Sequence, residues 1–180
     1  MSHSFGVTTE SEVSVLTYLG RYESPIGVLS LSSDGESLCK LSFTGQVCSG
    51  MEALTMEGEK EIPVFAEVRK WLDIYFSGKE PDFMPKLSLR GSEFQLEVWE
   101  SLRKIPYGQV ITYGDIAKEI AGKRGVEKMS AQAVGGAVGR NPIGILVPCH
   151  RVIGKNGSMT GFGGGLWRKE ALLKLEGYLK

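Results

Sequence analysis

The chain changes its hydrophobic rhythm partway along its length. Its first part alternates apolar and polar positions as strands do. Leu16-Thr17-Tyr18-Leu19-Gly20-Arg21-Tyr22 is one run, Val28-Leu29-Ser30-Leu31-Ser32 a second, and Leu38-Cys39-Lys40-Leu41-Ser42-Phe43 a third. Ser24-Pro25-Ile26-Gly27 and Asp34-Gly35 punctuate them, as in an antiparallel meander. Residues 44–62 are polar and aperiodic and read as loop or ragged helix. The period then becomes helical: Val64, Phe65, Val68, Trp71, Leu72, Tyr75 and Phe76 share one face. Pro63 suits a first turn and Gly78 an exit, so a helix is predicted over 63–77. Pro81 and Pro85 mark a linker, dividing the chain into units of residues 1–85 and 91–180.

The second unit reads as a string of short helices. Ser92-Glu93-Phe94-Gln95 has capping-box spacing, and Pro106-Tyr107-Gly108 ends the helix it opens. Val110-Ile111-Thr112 is short and extended. Thr112 caps a helix from Tyr113 to Ala121, closed by Gly122, and Ser130 caps another from Ala131 to about Gly139. Two short helices in basic surroundings predict a helix-turn-helix at 113–140. The last of them holds three glycines, each costing roughly 0.8–1 kcal/mol against alanine. Such a thin helix suits close packing on a neighbour, or entry into a narrow nucleic-acid groove; the basic surroundings favour the second. The fold class is α/β (α+β): a small antiparallel sheet with a helix, then a mainly helical domain.

Composition narrows the setting. With 42% hydrophobic and 23% charged residues, 180 residues suffice for a globular core. No apolar run approaches a membrane span, and the first twenty residues lack the pattern of a signal peptide. Three cysteines exclude a disulfide framework and point to a reducing, cytoplasmic location. With His3 and His150 the only histidines and no CxxC, no metal site is expected. Net charge is zero, yet residues 1–90 carry −5 and residues 91–180 carry +5, and the excess over 101–169 is +8. That asymmetry fits either a polyanion partner or an acidic domain packed on a basic one.

Chemistry concentrates in Ile143–Gly154, where an apolar extended segment reaches Pro148 and then delivers Cys149, His150 and Arg151. A thiol beside a base and a cation is the setting for a thiolate nucleophile. Neighbours along an extended chain point oppositely, so a bridging water between them is plausible. A carboxylate should orient the imidazole, and spacing does not choose among the acids. Cys39 reads as sheet packing and Cys48 lies in a polar loop with no nearby base. Gly161-Phe162-Gly163-Gly164-Gly165 is either a flexible connector or a site wall offering backbone N–H groups.

Pro148-Cys149-His150-Arg151-Val152 resembles the active-site signature of the O6-alkylguanine-DNA alkyltransferases, the methylated-DNA–protein-cysteine methyltransferases. Tyr107–Tyr113, Ala133–Ala137, Arg140-Asn141-Pro142 and the glycine-rich loop match that family in order and spacing across residues 92–178. The resemblance implies a ribonuclease H-like first domain and a winged-helix-like second one. It implies a monomer that binds duplex DNA through the minor groove, flips out O6-alkylguanine, and moves the alkyl group irreversibly to Cys149, without a cofactor. O4-alkylthymine stays open as a second substrate. By position, His150 acts through water, Glu176 orients it, and Tyr113 donates to guanine N3. The Gly163 amide would donate to O6, and the Cys149 and Val152 carbonyls would accept from the exocyclic amine. Asn141 would be a hinge residue, and Lys169 joins Phe162 in the substrate-side set. Arg151 would be an organising ion-pair partner, and it also falls in the DNA-facing set with Ala131, Ala133, Gly135, Gly136, Arg140, Lys128 and Arg124. Gln132 stands where many members have an arginine that fills the vacated stack, and Phe162 where a tyrosine is common. The rivals are a lesion-binding relative without transfer, whose cysteine would be replaced, a Cys-His hydrolase, and a methylation-sensing transcription factor, for which no additional DNA-binding domain is seen.

Overall fold

The structure, a computed structural model, describes residues 17–45 and 61–180. Leu16, Cys48 and most of the expected 44–62 loop lie outside the described residues. The first element is a three-stranded antiparallel meander: β1 (Tyr18–Ser24), β2 (Gly27–Ser33) and β3 (Leu38–Phe43), in that order. Its alternation buries Leu29, Leu31, Leu41 and Phe43 on one face. Helix α1 (Pro63–Phe76) covers that face with Phe65, Val68 and Leu72. The Phe65 ring packs directly on Gly20, where an added Cβ would stand 3.0 Å from it.

The outer edge of β3 is not left open. Leu38 N donates to Lys86 O at 2.8 Å, and Leu41 N donates to Pro142 O at 2.9 Å. Gly144 N donates back to Leu41 O at 3.0 Å. The sheet edge therefore pairs with the segment that leads to Cys149, which joins the two parts of the fold and satisfies edge groups that would otherwise recruit other strands. One hydrophobic cluster runs through both parts, from Leu31 and Phe65 to Trp99, Val147 and Leu172.

The second part is helical. α2 (Glu93–Arg103) starts with a complete capping box: Ser92 N donates to Gln95 Oε1 at 2.9 Å and Gln95 N to Ser92 Oγ at 3.3 Å. A short strand, β4 (Ile111–Thr112), leads into α3 (Tyr113–Arg124), capped by Thr112 and Asp115. That helix runs one turn past the expected stop. Gly122 stays helical, and Gly125, at φ 64°, supplies the left-handed cap instead. Helix α4 (Ala131–Gly139) follows and completes the helix-turn-helix. Trp99 Nε1 donates to Ala137 O at 2.9 Å, fixing α4 on α2.

The segment around Cys149 departs from expectation. Cys149–Arg151 is a 3-10 turn rather than an extended strand, and only Val152–Ile153 (β5) pairs, parallel, with β4. Upstream, Ile145 sits at φ 68° in a three-residue turn closed by Leu146 N donating to Gly144 O at 2.8 Å. A β-branched residue in that region costs about 1–3 kcal/mol and persists only where its surroundings over-determine it. Here β3 holds one side of the turn and Asn141 the other. The last helix, α5 (Leu166–Leu175), ends before Gly177, at φ 79°.

Candidate active site

The turn Cys149–Arg151 spreads three consecutive side chains into different surroundings. Cys149 faces a cavity of about 690 Å³ whose walls include Phe43, Asn141, Gly144, Phe162 and Gly163. Burial pushes its thiol up from the ordinary cysteine value; the Asn141 side chain and the Lys169 ammonium pull it part of the way back. Asn141 sits at the pivot of this segment. Its Nδ2 donates to Val147 O at 2.8 Å and its Oδ1 accepts from Ile143 N at 3.1 Å.

His150 points the other way, into the core, and is fully buried. Its Nε2 lies 2.7 Å from Glu176 Oε1. An approach that close to a carboxylate oxygen assigns the ring proton to Nε2. Burial lowers the imidazole pKa, the Glu176 carboxylate opposing it, so the ring is neutral and Nδ1 is a bare lone pair. Among the described residues Nδ1 is buried with no hydrogen-bond partner. A buried acceptor without a protein partner costs about 1–3 kcal/mol unless water meets it.

Arg151 is also buried, not on the DNA-facing surface. Its Nε and Nη2 grip Glu176 at 2.8 and 2.9 Å, and its Nη1 donates to Ile105 O at 2.7 Å. With its fork spent on a carboxylate, it has nothing to offer a phosphate. It is the organising ion-pair partner. Glu176 receives two more donors, Tyr75 hydroxyl at 2.7 Å and Gly108 N at 3.1 Å. Burial alone would raise the Glu176 pKa; the bonds from His150 and Arg151 override it and hold the carboxyl at about 2. Tyr75, from α1, was read from sequence only as an apolar helix position. Its hydroxyl stands 3.3 Å from His150 Nε2 as well, so the first part of the chain supplies a polar group to this buried network.

Lys169 is buried beside Val152 and Thr160. Its ammonium donates to Val152 O and, at 2.8 Å, to Thr160 O, and burial brings its pKa down to about 8. Val152 N donates to Cys149 O. The two carbonyls assigned to the guanine amine thus each hold one donor already and keep one lone pair. Tyr113 lines a second cavity with Gln132, Gly135 and Lys155, separated from the Cys149 cavity by Gly161. Its hydroxyl donates to Thr160 O at 3.1 Å. It is close enough to Cys149 to feel its charge, though burial is the main cause of its raised pKa.

The helix-turn-helix face is spare. In α4 only Val134, Ala137 and Val138 are buried; Ala131, Gln132 and Ala133 are exposed. A Cβ added at Gly135 would reach only the Tyr113 ring at 3.8 Å, and one at Gly136 only the Arg140 side chain at 3.4 Å. Close packing on a neighbouring helix therefore does not account for those glycines. Lys128 is exposed in the α3–α4 connection. Arg124, placed in the DNA-facing set, pairs with Glu97 of α2 at 2.8 Å. Arg140 lines the Cys149 cavity and bonds Gly136 O at 3.3 Å. Among the described residues no group of three His, Cys, Asp or Glu side chains could hold a metal ion, and no helix is long and apolar enough to cross a membrane.

Known proteins share this fold and much of this sequence. Residues 17–89 match the family model of the 6-O-methylguanine DNA methyltransferase ribonuclease-like domain, and residues 93–178 that of its DNA binding domain. The chain is 44% identical to a methylated-DNA–protein-cysteine methyltransferase of Methanosarcina acetivorans, over 89% of this chain and 98% of that protein. It is 46% identical to one of Mycolicibacterium paratuberculosis, over 86% of this chain and 88% of the relative. A crystal structure of Mycobacterium tuberculosis O6-methylguanine methyltransferase superposes with a TM-score of 0.75 at 41% identity, covering 89% and 93% of the two chains. The same protein in complex with DNA matches with the same score over 88% and 92%. Matched along both parts of its length, the chain belongs to the 6-O-methylguanine DNA methyltransferase family.

Proposed function

We propose that this protein repairs DNA by taking the alkyl group of O6-alkylguanine in duplex DNA onto Cys149, once per molecule. The observation that carries this reading is the pairing of a cavity-facing thiol with a neutral imidazole whose Nδ1 has no protein partner. A water at Nδ1 would pass the thiol proton to His150, and the resulting imidazolium would be stabilised by Glu176. The Cys149 thiolate then attacks the alkyl carbon; the C–O6 bond breaks and its electrons stay on the guanine. Tyr113 exchanges its bond to Thr160 O for one to guanine N3 and stabilises the leaving guanine anion, which takes its proton from water while the His150 imidazolium returns the thiol proton to solvent. The Gly163 amide serves O6, and the free lone pairs on the Cys149 and Val152 carbonyls select the exocyclic amine. The thioether is stable, so nothing regenerates the thiol.

The target atom lies inside the base stack, and the guanine must be extruded to reach Cys149. The open face of α4 suits the minor groove because little side chain stands between its backbone and the DNA. Gln132, exposed beside Tyr113, takes the vacated place in the stack. Residues 1–85 act as the supporting domain and residues 91–180 as the DNA-binding and transfer domain of a cytoplasmic monomer. Intact mass spectrometry after mixing with excess methylated duplex tests the reaction: one added methylene per molecule, on the Cys149 peptide, is expected. Catalytic turnover, or a binding-only protein with unchanged mass, would overturn it.

A further inference from the structure

Arg168 takes no part in the chemistry above, yet it ties together three segments that the chain keeps far apart. Its Nε donates to Ile26 O, in the β1–β2 turn, at 2.8 Å. Its Nη1 donates to Gly164 O, in the glycine-rich loop, at 2.7 Å. The guanidinium lies 4.3 Å from the ring centroid of Phe43, the last residue of β3, and 4.6 Å from that of Trp167. Its bed is shaped by two glycines. A Cβ at Gly27 would stand 3.0 Å from Nη2, at a φ of 122° that already demands glycine. A Cβ at Gly164 would lie 2.6 Å from the Phe162 ring and 3.0 Å from the Phe43 ring. The loop is therefore seated flat on β3, with Gly165 N closing a turn onto Phe162 O at 3.0 Å.

We propose that Arg168 is a positioning residue: it pins the loop 161–165 to the N-terminal sheet and so sets where Phe162 and Gly163 stand over Cys149. A planar fork can hold two carbonyls in different segments while stacking on a ring; a lysine ammonium cannot do all three. The role of that wall in alkyl transfer rests on the function proposed above.

The test uses the full chain with Arg168→Lys, and with Phe43→Leu, which keeps both hydrogen bonds and removes the aromatic face. Three readouts are taken: amide hydrogen exchange over 161–165, transfer from free O6-benzylguanine, and alkylation of Cys149 by iodoacetamide, which uses none of the loop's contacts to a guanine. For Arg168→Lys, exchange in the loop accelerates and transfer slows by about tenfold to a hundredfold, the scale of a misplaced reaction wall. The iodoacetamide rate and the melting temperature stay at wild-type values. Phe43→Leu shifts exchange and transfer the same way by less. Wild-type exchange in both variants overturns the proposal, as does an iodoacetamide rate that falls in parallel with transfer. If the wild-type protein itself fails to take the benzyl group, the functional reading fails, and loop exchange alone decides the role of Arg168.

Discussion

The two sides of the Cys149 turn are built on opposite plans. Behind it, Glu176 gathers Tyr75, His150, Arg151 and Gly108 from three segments into one buried network, in which, among the described residues, His150 Nδ1 is left without a partner. In front, α4 and the loop 161–165 present glycines, alanines and backbone, with few side chains holding them. The difference separates two tasks. A proton acceptor needs one fixed tautomer, and a dense charged network supplies it. A surface that meets a DNA groove and an extruded base needs close approach, and side chains would obstruct it.

The sharpest break in that contrast falls at Cys149 itself. Cys149→Ser should abolish alkyl transfer while DNA binding, measured by fluorescence anisotropy on methylated duplex, stays at the wild-type level, because a serine hydroxyl is far less ionised than a thiol. Residual transfer in that variant would identify another acceptor.

Next in size is Glu176→Gln, which leaves the Arg151 guanidinium buried without its counter-charge. A loss of about 3–5 kcal/mol is expected in urea denaturation. Tyr75→Phe removes one donor to the same carboxylate and should cost about 1.5–3 kcal/mol. Equal losses would mean that the network is not centred on Glu176.

The same network fixes the acid limb of stability. Glu176 is held at about 2, below its ordinary 4.5, so its contribution is fully present above pH 4.5 and fades as pH falls toward 2. In Glu176→Gln that part of the acid limb should vanish from the melting-temperature profile. Lys169 gives the same sign in a higher pH window. With its pKa lowered to about 8 from 10.5, the folded state binds fewer protons than the unfolded one between those values. Stability from this group therefore rises with pH across that interval. The ammonium also favours the thiolate, so the rise of the Cys149 alkylation rate with pH should flatten above 8.

The smallest expected effect lies on the open face. Gln132→Ala should slow repair of duplex DNA and leave transfer from free O6-benzylguanine unchanged, since the free base needs no flipping. Equal slowing on both substrates would make Gln132 a support of the active site rather than a wedge in the stack.

The two plans also differ in how far the chain displays them. The open face was legible: a capped helix of nine residues with three glycines stands out against its own propensity. So were Cys149 and His150, adjacent and followed by Arg151. The back network was not. Glu176 could be placed only by resemblance, because no spacing rule selects one acid among many. Tyr75 sat on an apolar helix face like any aromatic; its hydroxyl acquires meaning only when α1 meets the end of α5, 101 residues away. Arg168 stands like one more cation near a helix start, since one of its carbonyl partners comes from a turn 142 residues earlier. The 3-10 turn at Cys149 escaped because the apolar run before it favours strand, and the pull of Asn141 on Val147 is not a local propensity. At α3, Gly122 was the expected stop, but the helix runs on to Arg124 and Gly125 supplies the left-handed cap.

Everything asked of the dense side passes through one nitrogen, and the most direct test is the protonation state of His150 read by ¹⁵N NMR of labelled protein at neutral pH. The expected spectrum shows a neutral ring with the proton on Nε2 and an unprotonated Nδ1, shifting to the other pattern or to rapid tautomer exchange in Glu176→Gln. A proton on Nδ1, or an imidazolium in the resting wild-type protein, would contradict a His150 that waits as the base for Cys149.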